Sequence, residues 1–241
     1  MDSSEIKIDI TNKEKHKAAK VAGFMFLCSL LIPSLNWAFI LSKFIVPENV
    51  ISTAHNIMAD KMIFRIGIIN EVLSAVVIVL LSLALYLILK SINKNLALVA
   101  LVLKFVNAFL TLVIAFAHLI ALQVLSSLAS FTTTNQEQVK ALVGVFLNNH
   151  ISLTSIPGMF LGISMSIFLY LLLKSKYIPG VLAGFGFISY VLIFIYDLLF
   201  FLSPTFSSIP IVQIVGWGPN VLFMPIIGFW LLIKGLNIQK V

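Results

Sequence analysis

Charged residues and cysteine are both scarce in this sequence. Only 10% of the 241 residues are Asp, Glu, Lys or Arg, whereas a typical soluble domain has about 25%, so water is excluded as the main solvent of the fold. The single cysteine, Cys28, excludes a disulfide within one chain and any cysteine-based metal site. The positive charges lie between long apolar runs and form no exposed basic cluster, so we expect no nucleic-acid partner.

The signatures of several enzyme classes are missing as well. No HExxH, GxSxG, P-loop or HxxxH pattern occurs, so metalloproteases, α/β-hydrolases and nucleotide-driven enzymes lack the spacing that they need. An intramembrane zinc-dependent hydrolase using His118, His150 and Asp197 stays an alternative, because metal ligands can come from separate helices. The leading expectation is a protein with no catalytic residue, no metal and no cofactor.

Apolar residues, by contrast, make up 60% of the sequence and are arranged in long runs. About 20 apolar residues are enough to span a bilayer. The runs that reach this length are residues 21–41, 63–89, 96–122, 151–173, 178–202 and 209–233. The sequence therefore predicts an all-α polytopic membrane protein, with one six-helix bundle over residues 21–235 behind a solvated polar tail at residues 1–20.

Two shorter segments are predicted to be surface helices on the outer side. Residues 46–60 carry apolar side chains at helical spacing, with Pro47 at the expected first helical position. Residues 136–150 follow a capping box at Thr134 and Glu137, and they form either a second surface helix or an extension of the fourth span.

Glycine and proline mark two further features of the spans. Inside the last span lie Gly216, Gly218, Pro219, Pro225 and Gly228, which predict helix breaking there. The pairs Gly158/Gly162 and Gly180/Gly184 are typical of seams where helix backbones approach closely.

The distribution of basic residues predicts the orientation. Four of them, Lys43, Lys61, Arg65 and Lys140, fall on one side of the drawn topology. Eleven fall on the other side: Lys7, Lys13, Lys15, Lys17, Lys20, Lys90, Lys94, Lys174, Lys176, Lys234 and Lys240. Because cytoplasmic loops carry the excess of Lys and Arg, we expect a multi-pass protein of the cell membrane with both termini in the cytoplasm.

Ionisable residues inside the spans point to a site. Glu71, His118 and Asp197 map to the outer half of three spans, and they are flanked by Asn36, Asn70 and Asn220. Helical spacing gives three polar stripes: Gly67, Glu71, Ser74 and Ser82; Lys104, Asn107, Thr111 and His118; and Gly186, Tyr190 and Asp197. Because such residues are costly in lipid and often mark ion or substrate paths, the pattern predicts an outward-opening site that binds or transports a small polar solute, a cation or a proton.

Two other interpretations stay open. Glu71 and His118 could simply hold helices together, an effect worth about 0.6 to 2 kcal/mol per contact. The protein would then be a non-catalytic accessory or sensory subunit whose small-residue faces form a homo- or hetero-oligomer. The stem of Lys104 is long enough to reach cytoplasmic water, and we expect this snorkelling rather than a pair with Glu71.

Three stretches form a recognisable pattern: FIVPENVISTAHNIMADKMIFRIGIINEVL, INKNLALVALVLKFVNA and NNHISLTSIPGMFLGISMSIFLYLLLKSKYIPGVLAGFGFISYV. In them, and from about Ala18 to Gly235 in all, the chain resembles an uncharacterised family of bacterial six-span proteins, domain of unknown function 4386. The resemblance implies an inner-membrane protein and brings no established activity, substrate or cofactor. It also implies that four features recur in the family: Arg65, an acid at the position of Glu71, a base at the position of Lys104, and His150. The family often has arginine at position 104, and lysine lacks the planar fork for bidentate anion binding.

Overall fold

The computed structural model describes residues 3–46, 49–127, 138–141, 143, 147, 150–207 and 209–238. Within these residues the secondary structure is helical, without a strand. The helices are α1 (Ser3–Asn36), α2 (Val50–Ala59), α3 (Lys61–Leu89), α4 (Lys94–Ser126), α5 (His150–Ser175), α6 (Gly180–Leu202), α7 (Pro204–Ser207) and α8 (Pro210–Ile233). A π-helical turn, Trp37–Leu41, and a short α-helical turn, Ser42–Phe44, extend α1.

Six helices of the described chain are long and apolar enough to cross a membrane. The membrane-length segments are Asn12–Phe44, Lys61–Leu89, Lys94–Ser126, Leu153–Ser175, Gly180–Leu202 and Pro210–Ile233. The predicted fold class, an all-α six-span bundle, is therefore confirmed, and the protein is a multi-pass membrane protein.

The spanning helices close into a ring. Helix α1 packs on α3, α3 on α4, α4 on α5, α5 on α6, α6 on α8, and α8 on α1 again. Tight connections hold neighbours together: α3 and α4 are joined by residues 90–93, and the Asn93 side chain caps α4 by accepting a hydrogen bond from the Leu96 amide at 3.0 Å. Each of the six spans thus turns one face towards a common interior.

Two apolar clusters fill this interior. The larger one runs from the end of the bundle that holds the α3–α4 turn towards the middle, and it includes Phe26, Leu85, Ile88, Ala97, Leu172 and Phe223. The smaller one lies at the opposite end, against α2, and it includes Leu41, Phe44, Ile57, Phe64 and Leu122. Along α1, α3 and α4, the buried residues Asn36, Glu71 and Lys104 fall between the two clusters.

Helix α1 begins at Ser3, inside the segment predicted to be a solvated tail. Packing explains the difference, because Ala18 and Ala19 are buried and the Lys15 ammonium donates a hydrogen bond to the Tyr177 hydroxyl at 3.0 Å. The missing side chain of Gly23 lets α1 approach α8, where a Cβ atom would lie 2.7 Å from the Gly228 carbonyl oxygen.

Helix α2 begins at Val50, later than predicted, because the Asn49 side chain caps it by accepting a hydrogen bond from the Ser52 amide at 2.9 Å. Ala54 and Ile57 are buried beneath it, so α2 packs on the bundle. Pro47 and the Thr134/Glu137 capping box lie outside the described residues, as does most of the predicted segment 136–150.

The predicted break in the last span is wrong: α8 runs without interruption although Pro219 and Pro225 lie inside it. Membrane helices tolerate proline because neighbouring helices and local adjustments satisfy the freed carbonyl groups. The predicted seam at Gly180 and Gly184 is also wrong, since a Cβ atom on Gly184 would meet nothing within 4 Å. The other seam is confirmed, because a Cβ atom on Gly162 would lie 2.7 Å from the Phe194 backbone nitrogen on α6.

Candidate intramembrane binding site

A cavity of about 330 Å³ lies inside the ring, and all six spanning helices line it. Most of its wall is apolar. The lining side chains with polar groups are Ser29, Asn36, Trp37, Glu71, Ser74, Lys104, Asn107, Thr111, Thr154, Tyr190, Trp217 and Asn220. The three predicted polar stripes on α3, α4 and α6 therefore share one cavity, although each contributes only some of its members.

Glu71 and His118 form a buried pair between α3 and α4. The imidazole Nδ1 lies 2.9 Å from Glu71 Oε2, and both residues are at most 8% exposed. The Phe64 ring covers the imidazole, with 6.1 Å between ring centroids. The second carboxylate oxygen, Oε1, has no hydrogen-bond partner among the described residues, and Glu71 lines the cavity. Half of this carboxylate is thus available to a bound molecule.

Lys104 lies in the cavity wall, 2% exposed, and the expected snorkelling is wrong. The Lys104 ammonium donates a hydrogen bond within the bundle, to Asn107 Oδ1 at 3.2 Å. The Asn107 amide in turn donates to the Pro157 carbonyl oxygen at 2.9 Å. This chain of hydrogen bonds holds the cation inside the bundle, away from the α3–α4 turn.

Asn36 joins α1 to α3 at the edge of the cavity. Its amide donates to the Gly67 carbonyl oxygen at 3.1 Å, and its own oxygen accepts from Asn70 at 3.5 Å. A Cβ atom at Gly67 would lie 3.1 Å from the Ile40 side chain, a tight contact, so glycine favours the close approach of the two helices. Asn36 lines the cavity, whereas Asn70 supports it from outside the lining.

Asn220 and Tyr190 form the opposite wall. They come from α8 and α6, and both are nearly fully buried. Asn220 Nδ2 has no partner among the described residues. The wall therefore offers a second unused group, a donor, to a molecule in the cavity.

Asp197 is buried but does not line the cavity. Its carboxylate lies against the backbone of Gly158, and Gly158 itself lines the cavity. The structure thus brings Glu71 and His118 together and places Asp197 behind the α5 wall. Asp197 Oδ2 has no hydrogen-bond partner in the described part of the chain.

The model of the family described as Domain of unknown function (DUF4386) matches residues 21–235. The chain belongs to this family. No curated protein and no solved structure matches this DUF4386 chain.

The four positions that the resemblance implies to recur do not all lie at one site in the DUF4386 structure. Glu71 and Lys104 face the same cavity. Arg65 is exposed near the start of α3, and His150 is the first residue of α5, with its side chain outside the described residues. Within the described residues, no group of three His, Cys, Asp or Glu side chains could hold a metal ion, so the zinc hydrolase gains no support.

Sequence reasoning missed part of the DUF4386 cavity. Tyr190 was recognised as part of a stripe but not as a site residue, and Trp37, Thr154 and Trp217 were not predicted to line a site. One signal was available: Pro33 lies one turn before Asn36, where a helix irregularity is expected. The wide π-helical turn that follows presents Trp37 and Leu41 to the cavity.

Proposed function

We propose that this protein binds a small solute in the cavity and carries it across the membrane. One observation carries the proposal: Glu71 and Lys104 have opposite formal charges and line the same cavity, but they form no ion pair with each other among the described residues. A central charged residue costs about 2.5 to 3.5 kcal/mol in a membrane helix. Glu71 pairs with His118 through Oε2, but its Oε1 has no partner among the described residues. A bound solute would supply a partner for this oxygen and a counter-charge for the Lys104 ammonium.

The accessory-subunit alternative has less support. Gly158 and Gly162 are packed against Asp197 and Phe194 of the same chain, so their face is not free to bind another protein. Gly184 does face open space, but a single small residue gives no indication of a partner.

The proposal includes an orientation. The excess of lysines at the α3–α4 turn, in the N-terminal segment and near the C-terminus supports a cytoplasmic location for that end of the bundle. The cavity would then open outward, towards the end that carries α2.

The test is a flux measurement in proteoliposomes that contain a pH-sensitive dye. An imposed pH gradient, with a mixture of amino acids, sugars and inorganic ions outside, should decay faster than in empty liposomes. Glu71→Gln and His118→Ala should each abolish the difference, because they remove the buried carboxylate or its partner. The matched control is Ser164→Ala, a buried residue that bonds only within α5 and lies outside the cavity wall. Unchanged flux with a folded Glu71→Gln protein would rule out the site.

A further inference from the structure

The charges in the cavity wall restrict the class of solute. Glu71 is the acidic side chain in the wall, and Lys104 is the basic one. A purely anionic solute leaves Glu71 Oε1 without a donor, and a purely cationic solute leaves the Lys104 ammonium without a counter-charge. In a buried site an unpaired charged group is costly. A molecule that carries both charges can place each one against its opposite.

The unused hydrogen-bonding groups lead to the same class. Glu71 Oε1 needs a donor, and Asn220 Nδ2 needs an acceptor. The Lys104 ammonium has three donors, of which one is directed to Asn107 Oδ1. An ammonium group on the solute would satisfy Glu71, and a carboxylate would satisfy Lys104 and Asn220. Leaving such buried groups without hydrogen-bond partners costs free energy, so the site favours a solute that pairs with all of them.

The rest of the wall indicates what joins the two charged groups. Leu81, Ile114, Leu161 and Met224 contribute apolar surface, and Trp217 adds an aromatic ring. A cavity of about 330 Å³ is at the small end of ligand sites, which typically range from roughly 300 to 1,000 Å³. The space fits a compact aliphatic body better than a peptide or a lipid chain.

From these three observations we propose that the solute is a small zwitterion with an aliphatic body, the chemistry of a free aliphatic amino acid. Its ammonium contacts Glu71, its carboxylate contacts Lys104 and Asn220, and its side chain packs on the apolar wall. This assignment rests on the proposed function, because it takes the cavity to be a solute site.

The test uses three probes of the same shape: leucine, isopentylamine, which lacks the carboxylate, and isocaproate, which lacks the ammonium. Their dissociation constants are measured on the purified full-length protein in mild detergent by isothermal titration calorimetry. We expect leucine to bind at least about tenfold more tightly than either analogue, since each charged hydrogen bond lost in a buried site has about that effect.

Two variants complete the design. In Lys104→Met the preference of leucine over isopentylamine should disappear, while the preference over isocaproate remains. In Glu71→Gln the preference of leucine over isocaproate should disappear, while the preference over isopentylamine remains. Ser164→Ala should retain both preferences, and a variant that does not fold is replaced by Asn220→Leu, which should weaken leucine and isocaproate but not isopentylamine.

The outcomes separate the two proposals. Equal binding of leucine and one analogue, or binding of none of the probes, would overturn the zwitterion assignment. The flux measurement does not depend on these probes alone, so it would still decide whether the cavity is a transport site. Leucine binding with unaltered preferences in both variants would place the zwitterion elsewhere and overturn the assignment as well.

Discussion

At the residue scale, the burial of the Lys104 ammonium is costly, since this residue is 2% exposed and has Asn107 as its hydrogen-bond partner. Burying an ammonium costs several kcal/mol before any compensation. An ion pair with Glu71 would compensate for this cost, but no such pair forms in the described part of the chain. A residue kept at such a cost is better explained by binding than by folding.

Substitution of Lys104 distinguishes these explanations. We expect Lys104→Met to raise the free energy of unfolding by about 1 kcal/mol or more, because it removes the buried charge and keeps the volume. The measurement is thermal or denaturant unfolding in the same detergent. Lys94→Met, at the exposed first residue of α4, is the control and should change stability by less than about 0.5 kcal/mol. A clear loss of stability in Lys104→Met would instead assign Lys104 a structural role.

Sequence patterns could predict which residues of α3 and α4 face inward, because Glu71, Lys104 and His118 follow the 3.6-residue period. They could not predict the direction of the Lys104 ammonium. That direction depends on Asn107 and on the Pro157 carbonyl of another helix, a contact between residues 50 positions apart. Asp197 is a second example. Its place in the polar stripe of α6 predicts that it faces the cavity, but the Gly158 backbone on α5 lies in front of its carboxylate.

At the element scale, the close packing of α5 on α6 depends on a position without a side chain, Gly162. A Cβ atom on Gly162 would meet the backbone nitrogen and Cα atom of Phe194 at 2.7 and 2.9 Å. Backbone atoms of a packed helix cannot move aside as a flexible side chain can. The two helices must separate to admit a methyl group, and the α5 residues of the cavity wall would move with them.

We therefore expect Gly162→Ala to lower the free energy of unfolding by about 1 to 3 kcal/mol, the usual cost of overpacking. Gly184→Ala is the matched control on α6, because a Cβ atom there meets nothing within 4 Å. Alanine favours helix over glycine by roughly 0.5 to 1 kcal/mol, so this variant should be slightly more stable. The pair is compared by thermal unfolding, and equal effects of the two substitutions would show that the seam is looser than the structure indicates.

At the whole-molecule scale, the ring of six spans leaves the cavity between two apolar clusters. The cluster beneath α2 contains Phe44, Ile57 and Phe64, and the larger cluster separates the cavity from the α3–α4 turn. Composition and hydropathy could predict six spans because crossing a bilayer requires a minimum length. They could not predict ring closure, which depends on the packing of α1 against α8 at Gly23 and Gly228.

Labelling of single cysteines tests the orientation of this ring. In a Cys28→Ser background, Ser91→Cys places a thiol in the exposed α3–α4 turn, and Ser203→Cys places one at the exposed end of α6, on the opposite side of the bundle. The lysines flanking the turn, Lys90 and Lys94, should keep it in the cytoplasm. A membrane-impermeant maleimide should therefore label Ser203→Cys in right-side-out vesicles and label Ser91→Cys only after permeabilisation. The opposite pattern would invert the ring and place the α2 end, with the cavity nearest to it, on the cytoplasmic side.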